Sequence, residues 1–175
     1  MLQFCLTPKV RSLFAYADDM LSLPEAGDAF LGNWYVDIVH IMPYDSLLLM
    51  SEKTLLSFVL LNIRQDHSEM LANGFFNGLE HLLQEEKFAE RSIQLLMQGL
   101  ELMNITAAVD KRRIASLTNI GLLYSEEVKQ SGGLDNCNIL DVMKRINRFP
   151  HPSLNHQSPI KATKTLLRNS DTRLH

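Results

Sequence analysis

The clearest pattern along the chain is a set of apolar segments that predict strands of a β-sheet. Residues 34–41 alternate between two faces and are rich in aromatic and β-branched side chains, which is typical of a strand. By the same criteria we predict further strands over residues 2–6, 47–51, 54–61 and 103–109. The close spacing of the segments between residues 34 and 61 favours antiparallel hairpins. Since the last two of these are nearly all apolar, we expect helices or a second layer to cover both faces of the sheet.

Helical spacing of apolar residues predicts the elements that cover this sheet. The longest helix should begin at a cap, Asp66 or Ser68, and end near Lys87. Gly74 and Gly78 lie four residues apart on it, and we expect them to allow close packing of its backbone on the sheet. Further helices are predicted over residues 8–17, 89–101 and 138–147, and over about ten residues from Pro159. Residues 112–123 are ambiguous, and a helix beginning there would end before Gly132 and Gly133.

These elements predict an α+β fold with a mainly antiparallel sheet of about four to five strands and helices packed on it. The length of 175 residues suits one domain, which we place at residues 1–168, with residues 169–175 as a frayed tail. The composition is 46% hydrophobic and 21% charged, which excludes collagen, low-complexity disorder and a disulfide-dense miniprotein. No apolar run approaches the length of a membrane span, so no membrane association is predicted.

The N-terminal sequence and the cysteines both bear on the compartment. The first ten residues lack the basic start and apolar run of a signal peptide, so we expect a cytosolic protein. Cys5 and Cys137 agree with a reducing compartment and have no metal-type spacing.

Charge is distributed unevenly along the chain, although the net charge is only −3. Residues 1–141 hold 10 basic and 19 acidic side chains, whereas residues 142–175 hold 7 and 1. A basic segment of this kind attracts polyanions, but the acidic remainder would repel nucleic acid. The alternative is that the segment docks on the acidic body or on an acidic partner.

Three segments resemble an uncharacterised bacterial family of "plasmid-related" proteins, a domain of unknown function. The first runs from residue 34 to residue 63, and its matching positions are Trp34, Tyr35, Lys53, Thr54, Leu55, Ser57, Phe58 and Val59. The others are residues 110–119 and residues 146–166, with Asn147, Leu154, Ser158 and Pro159. Together the resemblance covers most of residues 2–167. It implies a fold and a link to plasmids, and it supplies no catalytic residues.

Motifs that would identify an enzyme or a cofactor site are not present in the sequence. It has no nucleophile elbow, phosphate-binding glycine loop, zinc-protease helix or dinucleotide fingerprint. His151 and His156, with Cys137 upstream, lack the tight ligand pairs of a zinc site, and loop packing explains them better. We therefore predict no metal and no cofactor.

Two groups of polar residues are candidates for binding. Beside Asp110, a cluster of cations and an amide could bind a phosphate or carboxylate, and its members are Lys111, Arg112, Arg113 and Asn119. In the C-terminal segment, cations recur at helical intervals, namely Lys144, Arg145, Arg148, Lys161, Lys164 and Arg168. A charged turn and a solvated face are the alternatives for these two groups.

Three classes of function stay open. The one we favour is a non-enzymatic accessory protein of a plasmid or other mobile element that acts by binding a protein partner. The second is a nucleic-acid-binding protein that uses the basic C-terminal face and residues 111–113. The third is an enzyme whose site is assembled from dispersed residues around Arg112, Arg113, Asn119 and His151.

Overall fold

The computed structural model describes residues 1–64 and 70–171 and contains a five-stranded sheet with helices on both faces. The strands are β1 (Leu2–Leu6), β2 (Trp34–Ile41), β3 (Tyr44–Ser51), β4 (Ser57–Leu60) and β5 (Met103–Ala107). The helices are α1 (Pro8–Leu13), α2 (Met70–Glu85), α3 (Glu90–Leu96), α4 (Lys111–Gln130), α5 (Ile139–Ile146) and α6 (Pro159–Asp171). No helix in this described part is long and apolar enough to cross a membrane.

The sheet is mixed, with strand order β4-β3-β2-β1-β5. The predicted hairpins are confirmed, because β2, β3 and β4 pair antiparallel with one another. In contrast, β1 pairs in parallel with both β2 and β5. Parallel pairing needs long crossover connections, and these are supplied by α1 with its following loop and by α2 with α3. The predicted α+β class is therefore confirmed, while the sheet is only in part antiparallel.

Alternation along the strands divides the buried apolar residues between two cores. On one face Phe4, Trp34 and Phe58 pack with α1, α2, α3 and α6. On the other face Tyr35 and Leu48 pack with α4 and α5. The nearly continuous apolar strands are thus covered on both sides, as the sequence predicts.

Several boundaries differ from the predicted ones for local reasons. β4 begins at Ser57 and not at residue 54, because Leu55 has a left-handed backbone with φ 58° that no strand can contain. The ambiguous residues 112–123 belong to α4, which Asp110 caps by accepting the N–H groups of Arg112 and Arg113 at 2.8 and 3.3 Å. Thr7 stands at the N-cap position of α1 but makes no such bond, since its hydroxyl donates to Asp37 at 2.7 Å instead.

The two ends of the described segments bear on two further expectations. The helix caps proposed at Asp66 and Ser68 lie outside the described residues, and α2 occupies residues 70–85. α6 continues through Asp171, beyond the predicted domain end at residue 168, and residues 172–175 lie outside the described part.

The outer edge of β4 is closed at Ser57 by a side chain and not by a strand. The Ser57 N–H donates to Asn147 Oδ1 at 2.9 Å, and Asn147 Nδ2 donates to the Ser57 carbonyl at 2.7 Å. Tyr124 donates its hydroxyl to the same carbonyl at 3.1 Å. A buried carboxamide on the connection between α5 and α6 therefore makes both bonds that a neighbouring strand would make.

Gly74 and Gly78 let α2 lie close to β4, as predicted. A Cβ at Gly78 would stand 2.6 Å from the ring of Phe58, which is buried against Trp34 and Phe75. A Cβ at Gly74 would stand 2.8 Å from a methyl group of Leu60, which is only partly buried. The ring cannot move without disturbing the aromatic cluster, whereas the leucine methyl can rotate away.

The two glycines therefore make a matched pair for mutagenesis. We expect Gly78→Ala to lower the free energy of unfolding by about 1–2 kcal/mol, since overpacking outweighs the gain in helix propensity. Gly74→Ala should be neutral or stabilising by up to about 1 kcal/mol, because that gain meets little steric cost. Urea unfolding monitored by the fluorescence of Trp34 measures both, and equal effects would contradict this account of the packing.

Candidate functional site

Arg148 is held by a carboxylate of the body and does not project as a free cation. Its guanidinium forms a two-pronged pair with Glu86, with N–O distances of 2.8 and 2.5 Å. The Glu86 side chain is 1% exposed and that of Arg148 is 53% exposed. One of these nitrogens also donates to the carbonyl of Lys144 at 2.8 Å. The pair thus neutralises a buried carboxylate that follows α2.

The other two predicted cations of this region are paired in the same way. Lys144 donates to Glu85 at 3.2 Å, and Arg145 donates through Nε and one terminal nitrogen to Glu127 at 3.1 and 3.0 Å. Glu85 lies on α2 and Glu127 on α4, so the cations of α5 link helices from opposite faces of the sheet. The sequence left open whether the basic segment attracts polyanions or docks on the acidic body. Its first half, with Lys144, Arg145 and Arg148, docks on the acidic body.

The cations of α6 have other surroundings. Lys161 is exposed, and Lys164 lies over the ring of Phe88 with its Nζ 5.7 Å from the centroid. Arg168 follows one turn later on the same helix and is also exposed. Lys161 and Lys164 therefore present their positive charge at the surface.

The binding residues predicted at the start of α4 are brought together only in part. Lys111 and Arg112 are exposed, and Arg113 is partly buried. Arg113 is close enough to Tyr35 to oppose the effect of burial, which raises the pKa of that hydroxyl. Asn119 is exposed two turns further along α4. The N-terminal amides of Arg112 and Arg113 are occupied by Asp110, so they are not available to an external anion.

His151 makes its backbone hydrogen bonds inside its own loop, with Leu154, His156 and Gln157. Burial lowers the pKa of its ring, and its buried Nε2 has no hydrogen-bond partner within residues 1–64 and 70–171. In this described part no hydrogen bond joins His151 to the other residues of the enzyme hypothesis, Arg112, Arg113 and Asn119.

Other titratable groups are buried as structural parts. Burial raises the pKa of the Cys5 thiol, which contacts the Thr106 hydroxyl. Burial also raises the pKa of Tyr124, whose hydroxyl is bonded to Ser57. Both groups stay neutral and are shielded from solvent, so neither is an activated nucleophile or base. Within residues 1–64 and 70–171 no three acidic, histidine or cysteine side chains converge as metal ligands.

An exposed apolar surface lies along the opposite edge of the sheet, at β5. Ser22 forms a parallel bridge with Thr106, and the Leu2 N–H donates to the Leu102 carbonyl at 2.8 Å. These contacts place residues 20–23 and the start of β1 beside β5. The large apolar side chains on these segments are between 39% and 74% exposed, and we call them the β5 patch: Met1, Met20, Leu23, Leu102 and Met103. Isolated exposed apolar residues are ordinary, but a group of five at one sheet edge marks a candidate binding surface.

Acidic side chains border the β5 patch. Asp19 precedes Met20, Glu101 precedes Leu102, and Glu25 follows Leu23 by two residues, and all three carboxylates are exposed. No lysine or arginine is adjacent in sequence to any patch residue. An apolar centre with a polar rim is the usual anatomy of a protein–protein interface.

The β5 patch is not predicted from the sequence. Met103 begins a predicted strand, Leu102 lies just before it, and residues 18–33 have no sustained periodicity. The parallel pairing of β1 with β5 and the Ser22–Thr106 bridge place these segments at one edge of the sheet.

The ion pairs of Lys144, Arg145 and Arg148 should differ in strength according to the burial of the carboxylate. We expect Arg148→Met to lower the free energy of unfolding by about 2–3 kcal/mol, because it leaves the buried Glu86 unpaired. Arg145→Met is the matched control and should cost at most about 1 kcal/mol, since Glu127 is partly exposed. Chemical denaturation checks both, and adding Glu86→Gln to Arg148→Met should restore part of the loss. Equal costs in the two single variants would refute this ranking.

Burial of His151 should make the stability of the protein fall in acid. Its pKa in the folded state lies below the ordinary value of 6.5, so the folded state takes up a proton less readily than the unfolded chain. Its contribution to stability is complete above pH 6.5 and is lost as the pH falls through the folded-state pKa. Denaturation at about pH 7.5 and about pH 5.5 should therefore show a smaller acid loss for His151→Phe than for the natural chain. An identical loss in both would show that His151 plays no part.

Comparison with known proteins gives a family but no activity. No curated protein matches the chain. A sequence family described as a domain of unknown function, DUF6933, matches residues 3–162, which is nearly the whole stretch covered by the resemblance described above. The matched region includes all five strands, both cores and the basic α5, and the chain therefore belongs to the DUF6933 family.

Proposed function

We propose that this chain is a protein-binding module whose β5 patch receives an apolar, basic segment of a partner. The observation that carries the proposal is the patch itself: five large apolar side chains exposed together at a sheet edge, with carboxylates around them. Water-exposed apolar area of this kind is costly to a free monomer and is recovered by burial against a partner.

The composition of the patch indicates what it binds. Three of the five residues are methionines, whose flexible and polarizable side chains adapt to partners of different shape. The neighbouring Asp19, Glu25 and Glu101 favour lysine or arginine beside the apolar residues of the partner and disfavour an acidic one. The backbone edge is partly closed, because Ser22 bridges Thr106 and the Ile105 N–H is taken by the Asn104 side chain at 2.9 Å. Side-chain contacts would therefore supply most of the affinity.

Our proposal of a more specific role rests on the resemblance to the "plasmid-related" family. A link to plasmids in that family supports an accessory role on a plasmid or other mobile element. Both cysteines are free thiols, which supports a reducing compartment such as the cytosol.

The remaining hypotheses gain less from the structure. Nucleic-acid binding loses Lys144, Arg145 and Arg148, whose charges are matched by carboxylates. An enzyme would need a concave site with convergent ionisable groups, and within the described residues no hydrogen bond joins His151 to Arg112, Arg113 or Asn119.

A peptide library tests the proposed interaction before the partner is identified. Peptides selected on the natural chain should be enriched in Leu, Met and Phe together with Lys and Arg. In the double variant Leu23→Ser/Leu102→Ser their affinity should fall about 10- to 100-fold, as expected from the loss of one buried leucine or more. Leu122→Ser is the matched control, because Leu122 is 58% exposed on α4 and lies outside the patch.

Salt gives a second readout of the same contact. Binding should weaken as ionic strength rises, since the exposed carboxylates attract the basic residues of the peptide through solvent. Selected peptides that are acidic, or that bind the double variant as tightly as the natural chain, would show that the β5 patch is not the binding surface.

A further inference from the structure

A concave surface, separate in sequence from the β5 patch, lies where the β3–β4 connection, the 151–157 loop and α6 meet. Its volume is about 270 Å³, just below the usual range for ligand pockets. Polar side chains from all three segments line it: Lys53, Ser153, Asn155, Gln157, Thr165 and Asn169. We propose that this pocket, which we call the α6 pocket, binds a small organic anion that carries a carboxylate or phosphate group.

The walls of the α6 pocket are rigid before any ligand binds. The 151–157 loop is closed on itself, because His151 donates its N–H to Gln157 and receives that of His156 on its own carbonyl, both at 3.0 Å. Asn155 and His156 have left-handed φ values of 53° and 61°, and their N–H groups are used inside the loop. A preformed site avoids the entropic cost of ordering a loop on binding.

Four side chains that line the α6 pocket have no hydrogen-bond partner within the described chain. The side chains of Ser153, Asn155, Gln157 and Asn169 make no hydrogen bond to residues 1–64 or 70–171, so a hydroxyl and three carboxamides can face a ligand. Hydroxyl and amide donors at several points around a small volume suit the oxygens of a carboxylate or phosphate.

Lys53 adds a charge to this set. Its ammonium donates to the carbonyls of Ala29 and Phe30 at 3.3 and 3.4 Å and forms no ion pair within the described residues. Two of its three N–H bonds are used in these hydrogen bonds, and the third can donate to a ligand. Two carbonyl partners hold the amine in place without cancelling its positive charge.

The surrounding helix strengthens the preference for an anion. Lys161 stands four residues before Thr165, so it shares one face of α6 with this wall of the pocket. Lys164 lies over the ring of Phe88, and an aromatic ring does not cancel its charge as a carboxylate would. α6 carries no acidic residue before Asp171. Neutral polar molecules would gain nothing from the resulting positive field.

Titration of the ¹⁵N-labelled chain with defined probes tests the proposal. Citrate, glycerol 3-phosphate and inorganic phosphate are the anionic probes, and glycerol is the uncharged control. We expect the anions to shift the amide resonances of residues 53–54, 153–157 and 162–169 in a saturable manner and glycerol to shift none. The two organic anions separate carboxylate from phosphate recognition, and tighter binding than inorganic phosphate shows that the amide donors contribute.

Three variants localise the effect. Lys53→Met should weaken binding at least tenfold, whereas Lys9→Met, an exposed lysine on α1, should leave it unchanged. Asn169→Glu places a negative charge on an exposed wall position and should abolish binding without disturbing the fold, which covers the case of a misfolded Lys53 variant. Asn155→Gly keeps the left-handed backbone, removes one amide and should weaken binding severalfold.

Several outcomes would overturn the proposal. These are no saturable shifts with any anion, equal weakening by Lys53→Met and Lys9→Met, or unaltered binding by Asn169→Glu. A twelve-nucleotide single strand that binds more tightly than the small anions and also shifts residues 111–113 would assign the α6 cations to nucleic acid instead. None of these results bears on the β5 patch, so the protein-binding proposal is tested separately.

Discussion

The arrangement of α5 and α6 depends on the hydrogen bonds that Asn147 makes. This residue is fully buried, and its carboxamide makes both backbone hydrogen bonds of Ser57 at the edge of the sheet. Its own carbonyl accepts the N–H of Ile160 at 3.1 Å, so the same residue fixes the start of α6. Leaving buried backbone groups unpaired costs about 1–3 kcal/mol each, and no other side-chain type supplies a donor and an acceptor in this geometry as well as an amide does.

Ion pairs add to the contacts by which Asn147 holds this part of the chain on the sheet. The residues just before and after Asn147 pair with Glu85, Glu86 and Glu127, so α5 is joined to α2 and α4 as well as to β4. The uneven charge along the sequence is thereby converted into contacts between the acidic body and its basic closing segment. Two other parts of the surface carry opposite charges, namely the carboxylates beside the β5 patch and the lysines of α6, Lys161 and Lys164. A single chain therefore presents two surfaces that select different ligands.

Local patterns predicted much of the fold because they depend on neighbours in sequence. Alternation in residues 34–41 reports the two cores directly, and the spacing of Gly74 and Gly78 reports the contact with β4. Parallel pairing of Leu2 with Met103 joins segments far apart in sequence, and no periodicity encodes it. Likewise, the sequence identifies the basic residues but does not show which of them form ion pairs. Glu86, for example, resembles a surface residue until its burial is known. The β5 patch and the α6 pocket were missed because each combines residues from separate segments.

The position of β1 inside the sheet has a consequence for synthesis of the protein. β1 is made before the other four strands, yet it lies between β2 and β5 and obtains its second neighbour only after residue 107 has been translated. A nascent chain that has reached α3 can form the β4-β3-β2-β1 sheet, but the backbone of β1 is then an open, apolar edge. Unpaired strand edges of this kind recruit other chains. During translation a strand that is interior in the finished sheet is therefore its exposed edge, and a chaperone that shields β1 would protect the chain until β5 has been made.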